Sequence, residues 1–457
     1  NPMKKFLSLV LALVMTMSLV TVSAGAKDFT DGSKINYKEA VDVMSAVKVI
    51  DGYAEGDFRP SATLTRGAAA KIICNLILGP TTASALVADA APYKDVPTNH
   101  TFAGYIAYCQ KEGIISGYAD GTFRPAASLT GYAFMKMLLG ALGYDAEVEQ
   151  YTGANWSINV AKRAMNIGLK DGLIGDFNGV KAVNREEACL YAFNTLQATM
   201  VEYSAKTSVS TNGTTVVIAG SEAKDVVNTG KTDSNIDKDG KMQFAEKYFE
   251  DLKLDKTSDD FGRPANKWNV KKEEVGTYAN TPDATFTKKV TKADVYNAIG
   301  KTVYDDLKDG DATLTTYFDG DGTKVKAADV DSTWANKNDT GKVNSTGNGD
   351  LTEIYVDDDN NVTIVTIRTY VFQAATDYDA KKESVNLTQD GSKADNLTNA
   401  AKTIVLNDRT VEAEDYAVVK DLKADDYVLV TAVKNGSGYD VKSVEKAEVK
   451  TVEVSGY

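Results

Sequence analysis

The sequence is poor in the residues that most often carry metal and proton chemistry. Its 457 residues hold one histidine, His100, and three cysteines, Cys74, Cys109 and Cys189. A histidine-based catalytic or metal cluster has almost no material to be built from. The cysteines sit in apolar, helix-like contexts without metal-ligand spacing, so they read as buried free thiols packed as small hydrophobes. A single disulfide stays open; a framework of several does not. No nucleophile elbow, phosphate-binding loop or zinc pattern occurs. Basic residues are outnumbered, 51 against 64, for a formal charge of −13. That balance argues against nucleic acid and anionic membrane as partners. It suits a protein that stays soluble at high local density, or one that collects cations. After residue 26 no stretch is apolar for the ~20 residues that a membrane span needs.

What is present is length and repetition. The chain exceeds what one core serves, so two to four domains are expected, and 43% apolar with 25% charged residues is an ordinary globular composition. Met3-Lys4-Lys5, an apolar run from Phe6 to Val22 and the small residues Ser23-Ala24-Gly25-Ala26 have the three parts of a cleaved secretory signal over 1–26. A membrane anchor is the competing reading, but the run is broken by Ser8, Thr16 and Ser18 and no basic stop-transfer follows. Asn1-Pro2, ahead of the methionine, read as translated upstream sequence.

The stretch from Val49 to Arg66, with Gly52-Tyr53, Gly56 and Phe58-Arg59-Pro60, returns from Ile114 to Gly131 at an offset of 65 residues without a gap. Such self-similarity marks one supersecondary unit used repeatedly. Each copy reads helix, turn, short extended segment, helix. In the first, over 27–80, Ala40, Val43, Met44 and Val47 share one helix face. Arg59, preceding proline, is expected to be extended. Thr65 caps the second helix, which stops at Gly79-Pro80. The second copy, 92–144, ends in a helix that is apolar nearly all round and therefore belongs in a core. A degenerate third copy, 150–203, is opened by Trp156 and capped near Asn184-Arg185-Glu186-Glu187.

Phe29-Thr-Asp31, Tyr93-Lys-Asp95, Gly113-Ile-Ile-Ser-Gly-Tyr-Ala-Asp-Gly-Thr-Phe-Arg-Pro125, Thr65-Arg66 and Asn184-Arg185 together resemble the S-layer homology family of bacterial cell-wall anchors, over about 28–200. The resemblance implies an all-α, pseudo-threefold helical bundle whose inter-repeat grooves hold a pyruvylated secondary cell-wall polysaccharide. The residues matching the family's binding roles are Asp31, Arg66, Asp95, Trp156 and Arg185. An arginine opening a helix offers a bidentate fork to a ketal carboxylate, and the helix's free N–H groups would favour the same charge. Arg59, Arg124 and the aspartates have the alternative of fixing turns. The second copy has Thr130-Gly131 where the family has arginine, so one or two working grooves are expected.

Beyond about Thr207 the composition shifts to Thr, Val, Asp, Asn and Gly. Alternating runs at 214–218, 313–318, 351–356 and 361–372 read as antiparallel hairpins, with helices at 242–252 and 292–307. A mainly-β, sandwich- or barrel-like region over 207–400 and a small β domain over 401–457, which looks cut short, are expected. Asn235, Asp237, Asp239 and Glu246 fit the spacing of a calcium loop, with a plain acidic loop as the alternative. The leading functional expectation is a non-enzymatic surface-layer protein forming a homo-oligomeric lattice. The alternative is a wall-anchored glycoside hydrolase or adhesin.

Overall fold

The computed structural model describes residues 27–204, 207–211, 214–218, 222–344, 346–388, 409–413, 416–436 and 438–448. The expected secretory signal, 1–26, lies outside them. The chain divides into two compact units. One runs to Asp255 and includes Lys267–Thr277; the other is Lys256–Asn266 with Tyr278 onward.

The first unit begins with the repeats. Its helices are α1 (Lys38–Ala46), α2 (Arg66–Leu78), the short α3 (Pro80–Ser84), α4 (Ala103–Lys111), α5 (Gly131–Ala141), α6 (Trp156–Asn166) and α7 (Arg185–Gln197). The second helix of each repeat carries the core. Ile73, Leu76, Phe134, Leu138, Leu139, Leu190 and Leu196 are all buried on α2, α5 and α7. These helices begin alike. Thr65 and Thr130 accept from the N3 amides of Ala68 and Ala133, and Asn184 with Glu187 forms a reciprocal capping box.

The residues just before the three caps close a ring of backbone hydrogen bonds. Leu64 N–H donates to Val183 O (2.8 Å), Leu129 N–H to Leu64 O (3.1 Å), and Val183 N–H to Leu129 O (2.9 Å). The next amides continue the rotation. At N1, Arg66, Gly131 and Arg185 donate to Ala127, Lys181 and Ala62; at N2, Gly67, Tyr132 and Glu186 donate to Pro125, Gly179 and Pro60. A helix start leaves its first amides without intrahelical partners. Here each repeat's extended loop supplies the missing acceptors to its neighbour.

The unit continues through β1 (Val201–Glu202), β2 (Thr207–Thr211), β3 (Thr214–Ile218), β4 (Lys224–Asp225) and α8 (Phe244–Tyr248). Helix α8 occupies the middle of the helix expected over 242–252; Leu252 already starts the next strand. A meander of β5 (Leu252–Ser258), β6 (Pro264–Val270) and β7 (Glu273–Ala279) follows, with residues in both units. From β6, Trp268 belongs to the repeat unit. It is fully buried, stacks edge-on against Phe193 of α7 at 5.3 Å, and donates its indole N–H to Glu39 of α1 (2.7 Å).

The second unit is built on two five-stranded sheets. One contains β8 (Ala284–Phe286), β9 (Leu314–Phe318), β10 (Asp321–Val325), β11 (Asp350–Val356) and β12 (Val362–Arg368), in the order β10-β9-β12-β11-β8. Helix α9 (Lys292–Asp309) packs Val295, Ile299, Val303 and Leu307 with Leu314, Ile354 and Ile364 of this sheet. The helix is interrupted at Gly300 (φ 80°), a backbone state glycine adopts readily. The hairpins expected to be purely antiparallel meet in a parallel pair, β9 with β12. Asp350 and Arg368 face each other across β11 and β12 and form a buried ion pair, Nε to Oδ1 2.8 Å.

The other sheet is β13 (Tyr370–Ala374), β14 (Ser384–Thr388), β15 (Arg409–Glu412), β16 (Tyr427–Asn435) and β17 (Gly438–Lys446), in the order β15-β14-β13-β16-β17. The alternating run 361–372 is therefore two strands in different sheets. They part at Thr369, whose amide turns to Gly349 O. The strands of this second sheet lie on both sides of residue 401, where the sequence suggested a boundary. Observed overall is a helical N-terminal region followed by mainly β sheets.

Because Trp268 fills the space between α1 and α7, Trp268→Ala is expected to destabilise the repeat unit by about 3–5 kcal/mol. Thermal unfolding followed by near-ultraviolet circular dichroism checks this. A change under 1 kcal/mol would show that the indole is not part of the core.

Candidate functional site

Asp31 and Asp95 hold the loop that links the two helices of a repeat. Both oxygens of Asp31 accept backbone N–H groups, from Phe58 and Arg59 at 2.8 Å each. Asp95 does the same for Phe123 (2.8 Å) and Arg124 (2.7 Å). Partial burial pushes both carboxyls up, but these donors outweigh it and hold each below the usual aspartate value. The loops need this clamp because Arg59 and Arg124 sit at φ 55° and 59°, a region costing a non-glycine residue about 1–3 kcal/mol. Arg59 is thus left-handed rather than extended as expected: the carboxylate draws two successive amides to one point, and that overrides the preference of a pre-proline residue.

The loop arginines lie on their own tyrosines. The guanidinium carbon of Arg59 is 3.9 Å from the Tyr53 ring centre, and that of Arg124 is 3.9 Å from Tyr118. The helix-opening arginines reach the same rings from the neighbouring repeat, Arg185 at 4.6 Å from Tyr53 and Arg66 at 5.0 Å from Tyr118. Their polar contacts match as well. Arg66 donates from Nε to Phe123 O (2.8 Å) and from Nη2 to Ser116 O (3.2 Å). Arg185 donates from Nε to Phe58 O (2.9 Å) and from Nη2 to Asp51 O (2.7 Å). Each arginine therefore ties two repeats together through carbonyls. Neither has a carboxylate at ion-pair distance among the described residues. The free helix amides expected to assist them are not free. N1 and N2 bond to the neighbouring loop and N3 to the cap, so any anion affinity here comes from side chains.

Around Arg66 a groove of about 490 Å³ opens. Its walls include the 114–118 loop with Tyr118, the α5 residues Ala133, Lys136 and Met137, and, from the third repeat, Tyr151, Gly153 and Trp156. Two of the sequence-derived residues, Arg66 and Trp156, are brought together here; Asp31, Asp95 and Arg185 are not among its walls. Lys136 is a further cation that sequence reading passed over, inside a helix judged apolar nearly all round. Its Nζ lies 5.6 Å from the Trp156 ring centre. Burial pulls its pKa down, and it makes no ion pair among the described residues. The repeat offset did carry a trace of it, since Lys136 stands 65 positions after Lys71. Arg66 is likewise lowered by burial. Two half-buried cations without carboxylate partners, beside an indole, leave an uncompensated positive site.

At the start of α5, Gly131 replaces the arginine. A Cβ there would come within 3.2 Å of both Gly179 Cα and the Phe177 ring. The site keeps its backbone bonds and loses its charge.

The calcium arrangement does not form. Glu246 is buried, with Oε1 accepting from the Ile236 and Asp237 amides and Oε2 from Asn228 Nδ2 (2.8 Å) and the Gln243 amide. Asn235 donates to Glu250 O, and Asp239 accepts from Lys241 N–H and Gln243 Nε2. The glutamate's charge is spent on closing this loop from within. Among the described residues no three metal-ligating side chains converge.

Residues 28–70 and 92–131 match the S-layer homology domain. The chain is 29% identical over 148 residues to a surface layer protein of Brevibacillus choshinensis, covering 32% of this chain and 13% of that protein. It is 34% identical over 103 residues to a cellulosome-anchoring protein of Acetivibrio thermocellus, 22% of this chain and 23% of that one. It is 27% identical over 156 residues to an uncharacterized cell wall amidase of Bacillus anthracis, 32% and 28%. The chain thus spans less than a third of the length of each. This is an S-layer homology domain protein of the cell surface. No helix among the described residues is long and apolar enough to cross a membrane.

The aspartate clamps have a signed pH dependence. With folded pKa values below that of the unfolded chain, near 3.9, their stabilisation is present above that pH and lost as pH falls through the folded values. Asp31→Asn with Asp95→Asn should lower the melting temperature at pH 7 and flatten its fall below pH 4. An unchanged acid limb would remove the clamp assignment.

Proposed function

We propose that the repeats form a pseudo-threefold module that anchors the protein non-covalently to the cell wall, by binding a pyruvylated secondary cell-wall polysaccharide in the grooves between repeats. The observation carrying this reading is the pair Arg66 and Lys136 beside Trp156, two half-buried cations lacking carboxylate partners. A pyruvate ketal supplies a fixed carboxylate to such cations, while the indole covers an apolar sugar face. Arg185, over Tyr53 and bonded like Arg66, is the cation of a second proposed site. The groove at Gly131 has no such cation and binds weakly or not at all. Asp31 and Asp95 serve the site indirectly, by shaping the loops that carry Tyr53 and Tyr118. The third repeat lies outside the matched residues; its membership is supported by its place in the hydrogen-bond ring.

The remainder of the chain we read as non-enzymatic and lattice-forming, in keeping with the S-layer names of several relatives. The amidase relative supports a second reading, an enzyme carried on the same anchor, because the similarity to it is partial and leaves most of that protein unmatched. Electron microscopy of purified protein separates these: a two-dimensional lattice is expected, and monomers that release sugar or amino groups from walls would favour the enzyme.

Arg66→Ala combined with Arg185→Ala should abolish co-sedimentation with purified cell walls, and Lys136→Met alone should weaken it roughly tenfold or more. The two arginines also tie repeats together, so melting temperatures are measured in parallel. Lys136→Met, which removes no hydrogen bond seen here, isolates the charge. Undiminished pelleting of a folded Lys136→Met protein, or equal binding to walls stripped of pyruvate, would sink the assignment.

A further inference from the structure

Two thiols face each other in the seam between α2 and α4. Cys74 Sγ and Cys109 Sγ are 3.6 Å apart, and both residues are fully buried. Each also reaches across to the opposite helix. Cys74 points its thiol at Tyr105 O (3.6 Å) and Cys109 at Ala70 O (3.7 Å), in both cases the carbonyl four residues before the other cysteine. The arrangement is reciprocal, with the two side chains converging from facing helices. Cys189, on α7, is buried without a thiol neighbour among the described residues.

We propose that Cys74 and Cys109 form a disulfide that staples the first repeat to the second in the exported protein. A disulfide needs sulfurs about 2.05 Å apart, so each sulfur must move by less than 1 Å, a small rotation about the Cα–Cβ bonds. Outside the cell such bonds persist. The chemistry is exchange with a small-molecule disulfide. One cysteine thiolate attacks it, releasing one small thiol and leaving a mixed disulfide. The second cysteine, losing its proton, attacks the protein sulfur of that intermediate and expels the other small thiol. Two protein S–H bonds are lost, one S–S bond is made, and the two electrons reside in the two released thiols.

The folded seam constrains when this happens. Cys109 is pushed far above the usual thiol range, first by its contact with Cys74 and then by burial, and full burial denies entry to an oxidant. The exchange therefore belongs to folding, before α2 and α4 close on each other. Protein that folds reduced stays reduced; protein that folds oxidised carries a cross-link across 35 residues.

The test refolds the full chain from denaturant in a buffer of reduced and oxidised glutathione. Remaining thiols are then blocked with iodoacetamide under denaturing conditions, and tryptic peptides are weighed. The expected result is peptide 72–94 joined to peptide 95–111, two hydrogens lighter than their sum, with Cys189 alkylated. The cross-linked protein should melt higher than the same protein after reduction and alkylation of that pair, and higher than Cys74→Ala with Cys109→Ala, by on the order of 10 °C. Alkylation of all three cysteines, glutathione adducts alone, or a bond that includes Cys189 would overturn the proposal.

Discussion

The arrangement of the repeats rests on one constraint: the first amides of a helix need acceptors that the helix cannot provide. In α2, α5 and α7 the acceptors are carbonyls of another repeat's extended loop, and the ring through Leu64, Leu129 and Val183 closes the relation. No repeat satisfies the N1 and N2 amides of its own second helix, so none is complete alone. The caps Thr65, Thr130 and Asn184 set where the helices begin, and that in turn aligns N1 and N2 with the neighbouring loop. The left-handed Arg59 and Arg124 are consequences of the same geometry. The loop must present Pro60 and Pro125 carbonyls to the next helix, and Asp31 and Asp95 hold it in that strained form.

The helix-opening arginines are set by the same geometry. Arg66 and Arg185 are fixed by two carbonyls each, which orients the guanidinium without neutralising it. Carboxylate partners in the same places would have tied the repeats equally well and cancelled the charge. A preorganised cation without an ion-pair partner is the state that the proposed ligand contact requires of a structural tie.

The gapless 65-residue offset made the first two repeats and their capped helices legible in the sequence, and the family resemblance added the third repeat and the helix-opening arginines. The pairing of Arg66 with Trp156 was not, because it joins the first repeat to the third across the groove, and spacing along the chain carries no such relation. Lys136 was hidden by its setting, one cation between two methionines on an otherwise apolar helix. The Asn235–Glu246 spacing fits a calcium loop and a plain acidic loop alike, for a physical reason. A carboxylate placed to bind a cation is equally placed to accept backbone amides, and Glu246 does the latter. In the β region, the run 361–372 looked like one strand because alternation continues through Thr369. Only long-range pairing, which is invisible in the pattern, assigns its halves to different sheets. The parallel pair β9–β12 escaped notice for the same reason, since hairpin turns announce only antiparallel neighbours.

Gly131 separates scaffold from site. The ring and the N1 bond are made by backbone atoms that every residue but proline provides, so Gly131 still donates to Lys181 O at 3.0 Å. What it lacks is the side chain that would carry charge over the loop at Phe177. Its place is also narrow: Gly179 presses from one side, while the Tyr132 ring occupies the space a Cβ on Gly179 would need. Threefold packing therefore asks only for backbone atoms, whereas charge at a helix start asks for a side chain, and a repeat can supply the first without the second.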